Sequence, residues 1–107
     1  MNKAKRPFVV RDNPAHQRFE IDLGDGETAI ADYRIDGKTI AFTHTAVPPA
    51  HEGMGVGSAL VRFALEAART RGLKVDPACA FFAAFMRRNA EDQDLLTDES
   101  RKRLGLS

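Results

Sequence analysis

The sequence predicts a small α/β domain on a mixed sheet: an antiparallel β-meander, a loop and helix, one parallel strand and a closing helix. Three observations carry that expectation. Apolar and polar residues alternate with a period of two over 17–23, 27–35 and 39–47. After Pro48-Pro49 the period becomes helical. The chain has 107 residues, 43% of them hydrophobic, enough for one core and too few for two.

Taken in order, residues 1–12 hold Lys3, Lys5, Arg6 and Arg11 against Asp12 alone, and read as a flexible basic N-terminal tail ahead of a domain over 13–95. Phe19, Ile21 and Leu23 alternate with Arg18, Glu20 and Asp22 in a first half-buried strand, and Gly24-Asp25-Gly26 turns the chain. A second strand reaches Asp36-Gly37, a pair suited to tight hairpin turns. The third runs from about Thr39 to Val47, where the two prolines end it for want of a ladder N–H. Val56, Leu60, Phe63, Ala64 and Ala67 then recur at helical spacing, with Gly72 as the stop. Leu73 to Val75 fits a short strand returning parallel to the sheet, closed by Asp76-Pro77. A second helix starts near Cys79, carries Phe81, Phe82, Phe85 and Met86, and closes at Arg87-Arg88-Asn89. Residues 96–107 read as a polar C-terminal extension with a short helix from Asp98 to Leu104.

Composition removes several functional classes. Lys and Arg number 16 against 15 Asp and Glu, so charge gives no general case for a nucleic-acid or membrane partner. One cysteine cannot close an internal disulfide or furnish a cysteine-rich zinc site, and no metal is expected. No apolar stretch follows the basic start and no run approaches a membrane span, so the expected compartment is cytoplasmic.

The informative stretch is Val47-Pro-Pro-Ala-His-Glu-Gly-Met-Gly-Val-Gly-Ser58, a strand leading through a glycine loop into a helix. Glycines at 53, 55 and 57 permit tight turning and close backbone approach, and the helix start offers free N–H groups and a positive dipole end. That combination suits a pyrophosphate. A Walker A loop would need Lys after the last glycine, where Ser58 stands. A dinucleotide fingerprint would need glycine at 58 and a longer fold.

The run Glu52-Gly53-Met54-Gly55-Val56-Gly57 resembles the acetyl-CoA loop of the GCN5-related N-acetyltransferases, Arg/Gln-x-x-Gly-x-Gly/Ala between a central strand and the next helix. Its context strengthens the likeness: Thr43-His44-Thr45-Ala46-Val47-Pro48 before it, Arg71-Gly72-Leu73-Lys74-Val75 after it, then Pro77-Ala78-Cys79 and Phe82-Ala83-Ala84-Phe85-Met86-Arg87-Arg88. Over roughly 13–95 the order is similar to the short single-domain, YjdJ-like or NATD1-like branch of that superfamily. Three positions depart from it. Glu52 replaces Arg or Gln, Ala46 replaces an acidic residue, and Asn89-Ala90 replaces His-Pro.

The resemblance implies an N-acetyltransferase that takes acetyl-CoA as cosubstrate and an unidentified amine as acceptor, by direct attack of the amine on the thioester. It implies that Ala46 and Val47 pair with the pantetheine arm and that Gly53, Met54, Gly55, Val56, Gly57 and Ser58 hold the pyrophosphate. Cys79 would lie near the acetyl group, as acceptor or as pocket wall; by residue type alone it is equally a small buried hydrophobe. His44 alternates with Phe42 and Ile40, and is either a general base near the thioester or a histidine bonded within the sheet. Arg87 and Arg88 either meet CoA phosphates or simply favour a helix C-terminus. The competing functional reading is a non-catalytic acyl-CoA-binding or protein-interaction module on the same fold.

Overall fold

The computed structural model describes residues 8–106, so the basic stretch with Lys3, Lys5 and Arg6 lies outside the described residues. β1 (Val10–Asn13), β2 (Arg18–Asp22), β3 (Thr28–Asp36), β4 (Thr39–Ala46) and β5 (Lys74–Pro77) form one sheet in that order. The first four are antiparallel neighbours, and β5 joins β4 in parallel. The crossover between β4 and β5 is α1 (Val56–Thr70). α2 (Ala80–Arg88) and α3 (Asp98–Arg103) follow β5.

The alternation becomes a register with one apolar face. Phe19 lies opposite Ala31, Ile21 opposite Ala29 and Tyr33 opposite Phe42, all buried. Residues directly opposite share a face, so these pairs form one continuous surface. On α1, Leu60, Ala64 and Ala68 recur with Val61 and Leu65 along the stripe that buries against it. Two aromatic contacts fix both helices to this same face. The Phe19 and Phe63 rings meet edge to face at 5.7 Å, and Phe42 stacks on Phe82 at 4.1 Å with planes 9° apart.

The other face of the sheet is polar. Its Glu20 is only 8% exposed, and its carboxylate accepts from Asn13 at 2.9 Å and Arg11 at 3.1 Å. The Asn13 hydrogen bond, followed by Arg11 and Arg18, holds this carboxyl below its ordinary range despite burial.

Two parts of the chain depart from the sequence expectation. Residues 10–13, placed at the junction of tail and domain, form the edge strand β1. Basic side chains mask that strand in the sequence, but Val10 and Phe8 still pack against the core. Beyond residue 95, α3 forms where expected, with Thr97 capping it by accepting from Ser100 N–H at 3.0 Å. Leu96 and Leu104 enter the core, and Arg103 pairs with Asp76 at 2.8 Å, so this stretch packs onto the domain. Among the described residues, no helix is long and apolar enough to cross a membrane.

A polar knot around the buried Tyr33 ties β1 to β3 and to the end of α1. The Tyr33 hydroxyl donates to one Asp12 oxygen at 2.7 Å, and Arg71 donates to the other at 2.8 Å. Burial first, and then the Asp12 carboxylate, push the Tyr33 phenol from 10.0 up to about 12. Folding therefore favours the protonated phenol; its contribution is complete below pH 10 and is lost as pH rises toward 12. Because the chain has one tyrosine, phenolate absorbance follows this group alone. The expected midpoint is near 12 in the folded protein and near 10 in urea. A folded-state midpoint near 10 would contradict the knot.

Candidate functional site

β4 and β5 stay paired only from Thr39–Lys74 to Phe42–Pro77. Lys74 N–H donates to Lys38 O, so alternate residues 74, 76 and 78 turn their N–H groups to β4, and Ala78 is in register for the next rung. Instead Ala78 N–H turns back to Asp76 O at 3.0 Å, Cys79 N–H takes the Phe42 carbonyl at 2.9 Å, and the chain leaves into α2. β4 runs on to Ala46 beside β3. The two strands therefore part, and a cavity of about 420 Å³ opens at the parting.

A register shift decides what faces this cavity. Tyr33 pairs with Phe42, but Asp32 pairs with His44, so Thr43 is an extra residue on β4. One extra residue inverts the alternation beyond it. Thr45, opposite Ala31, returns to the helix-bearing face, and Thr45 and Val47 line the cavity. His44 is turned to the open polar face beside Asp32 and is exposed, which corrects the expectation that it shares the Phe42 face. Ala46, opposite Ile30, also points its methyl to the open face, leaving its backbone as what it can offer the cavity. A bulge of this kind leaves no mark in an alternating pattern.

The opposite wall is the glycine loop and the first turn of α1, where Gly53, Gly55, Val56, Gly57 and Ser58 line the cavity. Gly53 and Gly55 take φ of 80° and 86°, left-handed values that a side chain would strain. Met54 between them is 60% exposed and is not part of the lining. Gly55 is the N-cap, and no side chain caps the helix. The N–H groups of Val56, Gly57 and Ser58 precede the first helical bond, from Ala59 N–H to Gly55 O at 3.0 Å, and so are available to an anion.

Gly57 needs a different explanation, because its backbone is ordinary helix. A Cβ there would sit 2.6 Å from Cζ of Phe81, so the third glycine exists to let the first turn of α2 approach α1. Phe81 completes the lining beside Glu52; neither was among the expected ligand-contacting residues. The Gly57–Phe81 contact joins residues 24 positions apart and could not be read from local pattern.

Cys79 is the N-cap of α2, and its Sγ lies 3.3 Å from Thr45 Oγ1. Thr45 thus links the cysteine to the cavity wall and is the third unexpected lining residue, after Glu52 and Phe81. The N–H groups of Ala80, Phe81 and Phe82 precede the first α2 bond, Ala83 N–H to Cys79 O at 3.1 Å. Two helix N-termini, neither with a side-chain cap, meet at the cavity. Arg87 and Arg88 are not there: they close the opposite end of α2, where Arg87 Nε reaches Leu104 O at 3.5 Å. Both sit in the last turn of α2, where a cation is favourable toward the helix dipole.

Just before the loop, Pro49–His51 forms a short 3-10 turn. His51 Nε2 lies 2.7 Å from Asp25 Oδ2, fastening the loop to the β2–β3 turn. That hydrogen bond is the main reason the Asp25 carboxyl falls below its ordinary range.

Comparison with known proteins follows from this geometry. Residues 18–95 match the family model of the GCN5-related N-acetyltransferases. Over 95 residues the chain is 30% identical to Protein NATD1 of Bos taurus, covering 88% of this chain and 75% of that one. Protein NATD1 of Gallus gallus is also 30% identical over 95 residues, with 77% of its length covered. The NMR solution structure of a GCN5-like protein from Staphylococcus aureus superposes with a TM-score of 0.64. At 24% identity over 87% of this chain and 91% of that one, this match speaks for the fold.

Substituting Gly57→Ala tests the helix–helix approach. The added methyl must displace the Phe81 ring, which is 42% exposed and free to swing outward, while alanine improves helix propensity by about 0.5–1 kcal/mol. The expected outcome is stability within about 1 kcal/mol of the parent, with the Phe81 ring displaced and its ring-proton shifts changed. Unchanged Phe81 ring shifts would show that the approach is not limited by that methyl.

Proposed function

The chain belongs to the GCN5-related N-acetyltransferase family, and from that premise we propose that it transfers an acetyl group from acetyl-CoA to an amine, with the cavity between β4 and β5 as the donor site. The observation that carries this reading is the pair of uncapped helix N-termini meeting where two parallel strands part. Acetyl-CoA would supply a thioester, whose carbonyl carbon is open to an amine nitrogen.

The chain's own groups fit that ligand. The free N–H groups of Val56, Gly57 and Ser58 suit its pyrophosphate, with Gly53 and Gly55 keeping the approach clear of side chains. The backbone at Ala46 and Val47 is the stretch offered to the amide-bearing pantetheine arm. Cys79, hydrogen-bonded to Thr45, lies at the acetyl end, next to the free N–H groups that start α2. Those N–H groups are suited to stabilise negative charge developing on the carbonyl oxygen. The step proposed is direct attack by the neutral amine nitrogen: the C–N bond forms, the C–S bond breaks, and the amine's proton passes to the leaving CoA sulfur, giving amide and free thiol. Holding donor and amine together supplies much of the rate.

One observation favours the alternative, an acyl-CoA-binding module without catalysis. The only ionisable side chain besides the nearby thiol is Glu52, a carboxylate in the lining of an anion site, and His44 faces the other way.

Thiol release from acetyl-CoA across a library of small and peptide amines separates the two readings. The enzyme reading expects turnover with at least one amine class. Binding of acetyl-CoA with no acceptor-dependent thiol release would favour the module. With a competent amine found, Cys79→Ala distinguishes pocket wall from acetyl relay: a loss of less than about tenfold in kcat fits direct attack, and a loss of 10² or more fits relay through sulfur.

A further inference from the structure

We infer that the groove between α1 and α2 holds a subsite for the ribose phosphomonoester of coenzyme A, with Arg62 as its recognition residue; this rests on the acetyl-CoA reading above. The starting point is a charge deficit. The cavity lining contains one charged side chain, Glu52, and it is acidic. Backbone N–H groups at the start of α1 can satisfy a pyrophosphate, but the further phosphate at the nucleotide end has no cationic partner there.

Beside the cavity, α1 and α2 lie against each other. At the cavity mouth the Phe81 ring lies against Gly57. One turn along both helices, the Arg62 guanidinium lies 5.1 Å from the centroid of the Phe85 ring. Arg62 follows Ser58 by four residues and Phe85 follows Phe81 by four, so each pair lies on one side of its helix. Ser58 and Phe81 line the cavity, and Arg62 and Phe85 lie one turn beyond its lining.

The guanidinium is exposed and prepared for an anion. Among the described residues, no carboxylate lies within ion-pair distance of it, whereas Arg69 is engaged by Asp92 and Asp94, and Arg71 by Asp12. Arg87 and Arg88 close the far end of α2. Stacking on Phe85 orders the arginine while leaving its N–H edge free, and a planar fork matches phosphate oxygens. Arg62 therefore supplies the cation that Glu52 denies the cavity.

The test compares acetyl-CoA with 3′-dephospho-acetyl-CoA by calorimetric titration of the parent protein and of Arg62→Gln, with thermal unfolding to confirm that the variant is folded. Arg62→Lys is the second variant, keeping the charge without the fork. A charge-assisted phosphate contact predicts that the parent prefers the phosphorylated ligand by about tenfold. Arg62→Gln should lose that preference while binding the dephospho ligand as the parent does, and Arg62→Lys should keep part of it. A preference surviving in Arg62→Gln would overturn the role of Arg62. Equal binding of both ligands by the parent would overturn the subsite and leave the acetyl-CoA reading standing. Binding of neither ligand would overturn both.

Discussion

The parting of β4 from β5 is the constraint on which the rest of the site depends. It arises at Ala78, the residue in register for the next rung: its N–H turns back to Asp76 O, Cys79 N–H takes the Phe42 carbonyl in its place, and the parallel pairing ends. From that point one strand continues beside β3 and the other turns into α2. The gap between them brings together the edge of β4, the start of α1 and the start of α2. Stacking of Phe42 on Phe82 holds the point of divergence, because it fastens α2 to the last paired residue of β4. A break at that stack would loosen the cavity wall before it loosened the meander.

Within this frame, the bulge at Thr43 selects the chemistry. By inverting the alternation it puts the Thr45 hydroxyl beside the Cys79 thiol and sends the His44 imidazole to the opposite face. The cavity is therefore rich in N–H donors and poor in proton acceptors. Such a site is suited to an anion and to negative charge developing on a bound oxygen, and less to moving protons. Glu52 sharpens the contrast, since any affinity for phosphate would have to come from the backbone and from cations outside the lining. The family relationship and the geometry converge on acyl transfer, while the acceptor's own chemistry is not written in the described cavity.

Much of the fold was legible because it depends on local periodicity. The alternation around Phe19 and Ile21, the Asp36-Gly37 turn, the stop at Val47-Pro48 and the helical spacing from Val56 all reappear as elements with nearby boundaries. What escaped the sequence depends on residues far apart or on single insertions. β1 is short and carries Arg11 among other basic residues, so only its pairing with β2 reveals it. Thr45 and His44 exchanged faces because a bulge changes parity without changing composition. The glycine loop was legible as a tight entry into α1, yet the reason for Gly57 was not, since it lies in a ring from α2. Arg87 and Arg88 show the reverse case, where a basic pair with a purely helical explanation also invited a ligand role.

The central claim is that the parting of β4 and β5 is where acetyl-CoA binds, and backbone amide shifts report on it most directly. Titrating the ¹⁵N-labelled protein with acetyl-CoA should perturb the N–H signals of Val47, Gly53 to Ser58 and Ala80 to Phe82, with smaller changes at β1 and β2. Perturbations confined to the open polar face around Asp32 and His44, or none at saturating ligand, would contradict the account.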